Sequence, residues 1–483
     1  MTGLRVLVLG CGHCGVPETL SRIAGGSDVS VVWRRSLCDT MEPLLSTCRP
    51  DAVVFLAARN VELQARAAEG LMRGGVHPLR IRFLDAWRLF PDAMTVGTHV
   101  HAAIARLRAA EPVERAPTRP TNAFRGAVPR RSLIYPVARF RAPVPRIEPS
   151  RCRAPNCDLC VKACPEQAIA RGVPPSIDPS ACTSCAMCLA ACPTDAAGHR
   201  VLSRSTLEAE ARALADAPGL GLLVACPSSL LEDRIEGLGL APGGWRVLEV
   251  PSVGALRPVD VLRFLALGFK TVVGLGAGEC CPEAPGPFAV ASAFLVGIGD
   301  PGRVAYWDLS APPPDLREGA TSHHQSIPMV ESLHELAVRI DSHADRIPLP
   351  GRGAGLVTVD PAACTMCGLC VERCWSDSLA MEEPRPGALT LTFNVQACDG
   401  CEQCVEACPE RAVSLQHAIE PPSRDRTVLK RDEWVLCTAC GNRVAPRAMV
   451  DRVASQSTLR AGLDLCPACK PVRLLAGAPN ASP

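Results

Sequence analysis

Residues 182–193 read CTSCAMCLAACP, and residues 398–409 read CDGCEQCVEACP. Both stretches place their cysteines in the order C-x2-C-x2-C-x3-C-P. Three thiolates spaced in this way on a tight loop can bind three irons of one cubane, whereas the fourth thiolate, on the helix that follows, points to an adjacent cluster. The two stretches therefore predict 4Fe-4S clusters, and each stretch needs a second group of cysteines beside it.

That second group precedes each stretch. Exchange of the fourth cysteine within each pair of groups predicts four ligand sets. Set I is Cys152, Cys157, Cys160 and Cys192; set II is Cys182, Cys185, Cys188 and Cys164; set III is Cys364, Cys367, Cys370 and Cys408; and set IV is Cys398, Cys401, Cys404 and Cys374. Structural zinc is the alternative, but this spacing crowds a tetrahedral zinc ion and suits a cubane.

The flanking sequence repeats with the cysteines. Ile147-Glu-Pro-Ser-Arg-Cys152 recurs as Ile177-Asp-Pro-Ser-Ala-Cys182, as Val359-Asp-Pro-Ala-Ala-Cys364 and more loosely as Phe393-Asn-Val-Gln-Ala-Cys398. These repeats predict two compact modules, at residues 147–200 and 356–419, and each module resembles a bacterial dicluster ferredoxin. The resemblance implies single-electron transfer, because a cubane with four thiolate ligands has no open coordination site. Trp375 replaces the proline that follows the fourth cysteine elsewhere, and we expect it to alter cluster potential more than occupancy.

The composition of the 483-residue chain supports metal binding, since it contains 27 cysteines but only 10 Phe, 6 Trp and 2 Tyr. No apolar run approaches the roughly 18 residues that span a bilayer, and the first residues lack the pattern of a signal peptide. We therefore expect a cytoplasmic protein with no membrane span, whose closely spaced cysteines bind metal and do not form disulfides. The 51 Lys and Arg residues nearly balance 49 Asp and Glu residues, which argues against nucleic acid as a partner.

Residues 1–110 predict a small parallel α/β domain, because four apolar strand-like runs alternate with segments of helical pattern. The first run leads into Gly10-Cys-Gly12-His-Cys-Gly15, whose spacing fits a dinucleotide-binding loop and predicts NAD(P) as one ligand. A second alternative rests on the four cysteines of this region, which resemble the N-terminal domain of the heterodisulfide reductase A subunit. That resemblance implies a further cluster or metal at Cys11, Cys14, Cys38 and Cys48. A domain without any ligand is the third alternative.

Residues 201–345 repeat this alternation of strands and helices. The strand leading to Cys226, the turn Val250-Pro-Ser-Val-Gly254 and the segment Gly278-Glu-Cys-Cys281 resemble the delta subunit of methyl-viologen-reducing hydrogenases. That family passes electrons between a hydrogenase and heterodisulfide reductase, and it uses cysteines at such turns for a 2Fe-2S cluster. Ser252 and Leu275 stand where two of these cysteines would be expected. Because Cys226, Cys280 and Cys281 are too few for a 2Fe-2S cluster without a serine or a foreign ligand, we predict a structural, docking role for this domain, with a 2Fe-2S cluster as the alternative.

The tail, residues 433–472, contains two knuckles, Cys437-Thr-Ala-Cys440 and Cys466-Pro-Ala-Cys469. Four thiolates in two such pairs predict a zinc ribbon, in which a tetrahedral structural site folds a segment too small to fold unaided. The knuckles are also similar to those of rubredoxin, which implies one redox-active iron instead. Trp434 is alone where rubredoxin buries several aromatic side chains, so zinc is the favoured metal.

Together these patterns predict a multidomain α/β and α+β fold, with two small parallel-sheet α/β domains, two dicluster ferredoxin-like modules and a C-terminal zinc ribbon. Residues 111–146, rich in arginine and proline, would link the first domain to the first module.

The predicted function is that of an iron-sulfur electron-transfer subunit of a heterodisulfide-reductase-related oxidoreductase complex, with no substrate site of its own. Four 4Fe-4S clusters would relay single electrons between a flavin, hydrogenase or dehydrogenase subunit and a heterodisulfide-reductase-like acceptor subunit. The alternatives are an NAD(P)H-dependent oxidoreductase that uses the Gly10-Gly12-Gly15 loop, and a non-redox iron-sulfur scaffold or sensor.

Overall fold

The strands predicted from the apolar runs are present in the computed structural model of the chain. The structure describes residues 5–11, 28–34, 50–56, 67, 71, 76–77, 80–84, 93–110, 144–198, 203–216, 221–226, 244–276, 285–309, 327–329, 332–340, 346–420, 426–456 and 462–471. The chain divides into two compact units, Met1–Val330 and Glu331–Pro483, and each contains one predicted ferredoxin module. Among these residues, no helix combines the length and apolar character needed to cross a lipid bilayer.

The described helices of unit 1 alternate with its strands, and those of unit 2 are mostly short. They are α1 (Ala93–Ala109), α2 (Leu159–Lys162), α3 (Met187–Ala191), α4 (Arg204–Ala215), α5 (Pro258–Ala266), α6 (Pro285–Gly297), α7 (Leu333–Arg339), α8 (Leu369–Glu372), α9 (Gln403–Glu406) and α10 (Arg447–Gln456). Local sequence sets where α4 begins, because Ser203 accepts a hydrogen bond from the Thr206 N–H and caps the helix.

Unit 1 contains two parallel four-stranded sheets. Their strands are β1 (Val6–Cys11), β2 (Val29–Arg34), β3 (Ala52–Leu56) and β4 (Ile81–Leu84), then β9 (Gly221–Ala225), β10 (Trp245–Glu249), β11 (Thr271–Gly276) and β12 (Val304–Asp308). The strand order is β2-β1-β3-β4 in the first sheet and β10-β9-β11-β12 in the second. Both sheets therefore have the same topology, with the first strand along the chain inside and the fourth at an edge. The parallel sheets predicted from the sequence are confirmed.

The two sheets share one apolar core, a feature that the sequence analysis did not anticipate. Helix α1 follows the first sheet and packs along α4, which precedes the second sheet. One buried cluster contains Val8 and Val54 of the first sheet, Leu107 of α1, and Leu223 and Val273 of the second sheet. Because the same cluster buries both sheets, neither sheet has a complete core without the other.

Helix α1 also makes hydrogen bonds to the backbone of β10, along the outer edge of the second sheet. The Arg106 guanidinium donates to the Glu249 carbonyl at 2.9 Å, and His99 Nε2 accepts from the Val247 N–H at 3.0 Å. His99 is thus a helix-packing residue. Arg106 Nη1 also lies 2.5 Å from a carboxylate oxygen of Glu210 on α4, and Arg82 Nη2 lies 3.2 Å from the other. These contacts satisfy the polar groups of an edge strand that would otherwise be open to pairing.

The first ferredoxin module lies in unit 1 and docks on the second sheet. It consists of α2, α3 and the antiparallel pairs β5 (Arg146–Ile147) with β8 (Ala197–Gly198) and β6 (Ile169–Ala170) with β7 (Ser176–Ile177). Helix α3 contacts the 3₁₀ turn Val253–Ala255, which follows β10. Arg257 joins the two parts, since its guanidinium lies 3.2 Å from Asp195 and 3.3 Å from Asp260. The module therefore sits at the carboxyl end of β10.

Unit 2 combines the second module with the tail. Its strands are β13 (Ile347–Pro348), β14 (Leu356–Val359), β15 (Leu379–Glu382), β16 (Ala388–Phe393), β17 (Val413–Gln416), β18 (Ala418–Ile419), β19 (Thr427–Leu436) and β20 (Arg443–Pro446). The antiparallel sheet β15-β16-β19-β20 runs from the module into the tail. The predicted tail boundary at residue 433 falls inside β19, whose Leu429 and Trp434 pack against the core of the module.

Candidate iron-sulfur centres

The four cysteines of set III line one cavity in the structure. Cys364 and Cys367 lie in the loop before α8, Cys370 lies in α8, and Cys408 follows α9 in the other half of the module. Met366, Met381 and Leu391 add apolar walls. Burial, together with the neighbouring thiolates of set III, raises the pKa of Cys370 to about 12.

Set II lines a second cavity, in the first module. Its thiols again come from both halves of the module, since Cys164 follows α2, whereas Cys182 and Cys185 precede α3 and Cys188 lies in it. Burial, with added repulsion from Cys185 and Cys160, raises the pKa of Cys188 to about 12. Because Cys160 belongs to set I, sets I and II are neighbours.

The remaining two sets are also grouped as the exchange pattern predicts. Burial and the nearby thiolates of Cys192, Cys157 and Cys152 raise the pKa of Cys160 to about 11. The thiols of set I therefore lie close enough to one another to interact. In set IV, burial and the thiolates of Cys398 and Cys374 raise the pKa of Cys404 to about 12. Each group therefore takes one cysteine from the opposite half of its module, and in set IV the interacting thiolates are those of Cys398, Cys404 and Cys374.

Short helices produce this exchange. Helices α2, α8 and α9 are each four residues long and end two residues before a crossing cysteine, and α3 ends at Ala191, directly before Cys192. Backbone N–H groups then donate to the crossing sulfur atoms, from Ala168 to Cys164, from Ala197 to Cys192 and from Ala412 to Cys408, each at 3.2 Å. Hydrogen bonds of this kind stabilise thiolates bound to iron.

Charged and polar side chains also surround the second module's cysteines. The Lys430 ammonium on β19 donates to the Cys364 carbonyl, and its charge lowers the pKa of that thiol against the larger raising effect of burial. His334 of α7 is hydrogen-bonded through Nε2 to the Cys398 carbonyl at 3.1 Å. Trp375, found where proline was expected, donates through Nε1 to Asp399 at 3.3 Å. The tail and α7 therefore both hold the loops that carry the cysteines.

The donor sets fit 4Fe-4S cubanes. Four sulfur ligands, N–H groups aimed at sulfur and partly apolar walls match the ligand preference of iron-sulfur clusters. The loop of set IV also requires glycine at position 400, where φ is 73° and a Cβ would lie 2.7 Å from the Ala354 carbonyl oxygen. Thiols with a pKa near 12 are protonated at neutral pH, so metal binding would release those protons.

The other predicted cysteine sites are only partly within the described residues. Cys14, Cys38 and Cys48, the loop after Cys11, and Cys280 and Cys281 lie outside them, as do residues 111–143 of the predicted linker. Cys11 ends β1 opposite Arg34 of β2, and Cys226 is buried directly after β9. Ser252, which stands where the hydrogenase-like pattern has cysteine, is buried before the 3₁₀ turn that contacts α3.

The tail cysteines form a compact group whose sulfur atoms all lie within 4.8 Å of one another. Cys440 Sγ and Cys466 Sγ are 3.6 Å apart. The Cys466 N–H, with further N–H groups of the first knuckle, lowers the pKa of Cys437 to about 6, whereas hydrogen bonds to Cys440 and Cys466 raise the pKa of Cys469 to about 12. Among the described residues outside the ferredoxin modules, this group has the geometry of a tetrahedral site. Both zinc and iron take four thiolates in that arrangement.

Sequence reasoning missed the polar residues that contact the cysteines from outside the motifs. Lys430 and His334 lie on elements remote in sequence, and nothing in their local sequence marks them. Ser378 is different, because it occupies the place where the other motifs have alanine after the crossing cysteine. A comparison of the four repeats with one another could have found it.

Two family models match parts of the chain. A 4Fe-4S dicluster domain matches residues 356–409, and a 4Fe-4S binding domain matches residues 175–197. The first match contains sets III and IV, whereas Cys152, Cys157, Cys160 and Cys164 lie outside the second. No curated protein matches the chain. The chain thus contains ferredoxin domains that support an iron-sulfur electron-transfer role.

Proposed function

We propose that this chain is an iron-sulfur electron-transfer subunit of a heterodisulfide-reductase-related oxidoreductase complex. It would carry four 4Fe-4S clusters and relay single electrons between a flavin, hydrogenase or dehydrogenase subunit and an acceptor subunit. The observation that supports the proposal is that sets II and III each line one cavity with cysteines from both halves of their module.

The chemistry of these sets favours transport over substrate conversion. A cubane with four thiolate ligands changes by one electron and offers no coordination site to a substrate. The residues that contact the sets position their loops: Lys430 and His334 bind backbone carbonyls, and backbone N–H groups donate to sulfur.

The docking of the first module supports a role for the second sheet in electron exchange with a partner. Helix α3 carries Cys188 and precedes Cys192, and it lies against the turn that follows β10. Ligands of open parallel sheets bind at the carboxyl ends of the strands. A partner docked at that edge would approach the first module, which agrees with the hydrogenase-delta-like pattern in this domain.

One observation favours a second candidate, an NADPH-dependent oxidoreductase. Arg34 ends β2 beside the end of β1, so a basic side chain lies next to the strand that leads into the glycine loop. A basic residue at this place can accommodate a 2′-phosphate.

Metal and sulfide analysis of the anaerobically purified chain tests the proposal. Four cubanes require about 16 irons and about 16 sulfides per chain, apart from the metal of the tail. Zinc in place of that iron would contradict it. NADPH separates the two candidates: we expect dithionite but not NADPH to bleach the visible absorption, and rapid bleaching by NADPH would favour the second.

A further inference from the structure

Set IV differs from the other sets at the residue that follows its crossing cysteine by four positions. The corresponding segments read Cys164-Pro-Glu-Gln-Ala168, Cys408-Pro-Glu-Arg-Ala412 and Cys374-Trp-Ser-Asp-Ser378. The two alanines present only a backbone N–H to the crossing sulfur, at 3.2 Å. Ser378 adds a hydroxyl group at the same place.

That hydroxyl lies within the set. Ser378 Oγ is 3.1 Å from Cys374 Sγ and, at 2 % exposure, is shielded from water. Cys374 is the crossing cysteine of set IV, so the hydroxyl lies beside the sulfur that reaches this set from the opposite half of the module.

The backbone around Ser378 is fixed, which holds the hydroxyl in place. Its carbonyl accepts from the Asn394 N–H at 2.7 Å and from the Arg426 guanidinium at 3.2 Å. Ser376 Oγ lies 2.8 Å from Ser378 Oγ. Asn394 precedes the loop of Cys398, so the same contacts tie the two halves of the set together.

The direction of the hydrogen bond follows from the chemistry of an iron-bound thiolate, which has no proton and can only accept. The Ser378 O–H must therefore donate to sulfur, and Ser376 can donate in turn to Ser378. Hydrogen bonds to anionic acceptors are stronger than neutral ones, and chains of them reinforce one another in a buried site.

Resting on the proposed function, we propose that Ser378 is a positioning residue that raises the reduction potential of the cluster bound by set IV. Reduction adds negative charge to the cluster and its thiolates, so a hydroxyl that donates to sulfur stabilises the reduced form more than the oxidised form.

The test is an EPR-monitored potentiometric titration of the full chain, purified anaerobically, with Ser378→Ala. This variant restores the residue found in the other motifs. We expect the equilibrium constant for reduction of one cluster to fall about tenfold, which lowers its potential by about 59 mV for a one-electron couple. The other clusters should keep their potentials. Ser378→Thr, which retains a hydroxyl, should recover most of the difference.

Ser414→Ala is the matched control, because this exposed serine of the same module pairs with Thr358 and contacts no cysteine in the described structure. Unchanged potentials in Ser378→Ala, with all clusters retained, would overturn the inference and leave the proposed function intact. Absence of cubanes from the unaltered chain would instead overturn the proposed function. If Ser378→Ala loses its cluster, the same titration is made on Ser376→Ala. A lowered potential of one cluster in that variant supports the inference, and unchanged potentials reject it.

Discussion

Replacing Arg106 with alanine should destabilise unit 1 by about 3 kcal/mol. The change removes the guanidinium 2.5 Å from Glu210 and the donor to the Glu249 carbonyl, and it leaves a carboxylate that is 3 % exposed. Breaking a buried ion pair by removing one partner costs about 3–5 kcal/mol. Arg82 remains 3.2 Å from Glu210 and compensates in part, so we expect the lower end of this range.

Arg108→Ala is the matched control, since this residue lies two positions along α1 and forms an exposed pair with Asp28. Exposed pairs contribute about 0–1 kcal/mol. Hydrogen exchange of the full chain, measured by mass spectrometry on peptides that cover β3 and β9, reports the opening of the shared core. Exchange should accelerate about 100-fold in Arg106→Ala and at most about fivefold in Arg108→Ala. Similar rates in the two variants, or acceleration in β9 alone, would refute a core shared by both sheets.

Three further predictions concern the exchange of cluster ligands, the charge of Glu210 and the metal of the tail. Cys192→Ala should disturb the cluster of set I and leave set II with four ligands, and Mössbauer and EPR spectra that show loss only at set II would reject the exchange of ligands. Arg106 and Arg82 lower the pKa of Glu210 despite its burial; its contribution to stability should therefore be complete above its unfolded pKa of about 4.3 and be lost as pH falls through the lower folded value. Urea unfolding between pH 6 and pH 3 should show this loss, and Glu210→Gln should reduce the slope. Cys469→Ala should abolish metal binding in the tail and hydrogen-exchange protection in α10, while the ferredoxin absorption persists. Native metal analysis of the unaltered chain should find one zinc in the tail. A reversibly reducible red iron site there would contradict zinc.

The sequence predicted those features that depend on neighbours along the chain. Apolar runs such as residues 221–225 and 271–276 marked the strands because a strand buried on both faces needs apolar side chains throughout. Spacing within a dozen residues likewise predicted how Cys164 and Cys192 would be exchanged. Long-range pairing left no such signal: Arg106 and Glu210 are 104 residues apart, and each alone resembles a surface charge.

The tail shows the same limit. Its polar composition predicted a small separate ribbon, but β19 pairs with β16, with Lys430 opposite Leu391. Burial alternates with period two only over residues 430–434, and the partner that buries one face of the strand cannot be identified from that segment. Trp434 was interpreted against rubredoxin, whereas in the structure it packs on the ferredoxin module.

The shared core of unit 1 also imposes an order of events during protein synthesis. The cluster joins Val6 and Leu107 to residues as late as Leu309, so the N-terminal sheet emerges from the ribosome roughly 200 residues before its last packing partners. At translation rates of about 5–20 residues per second, the apolar face of α1 remains without its packing partners in the second sheet for roughly 10–40 s. The first ferredoxin module is made within this interval. Its cysteines thus become accessible to the cell's cluster-assembly machinery before the second sheet exists to pack against α3.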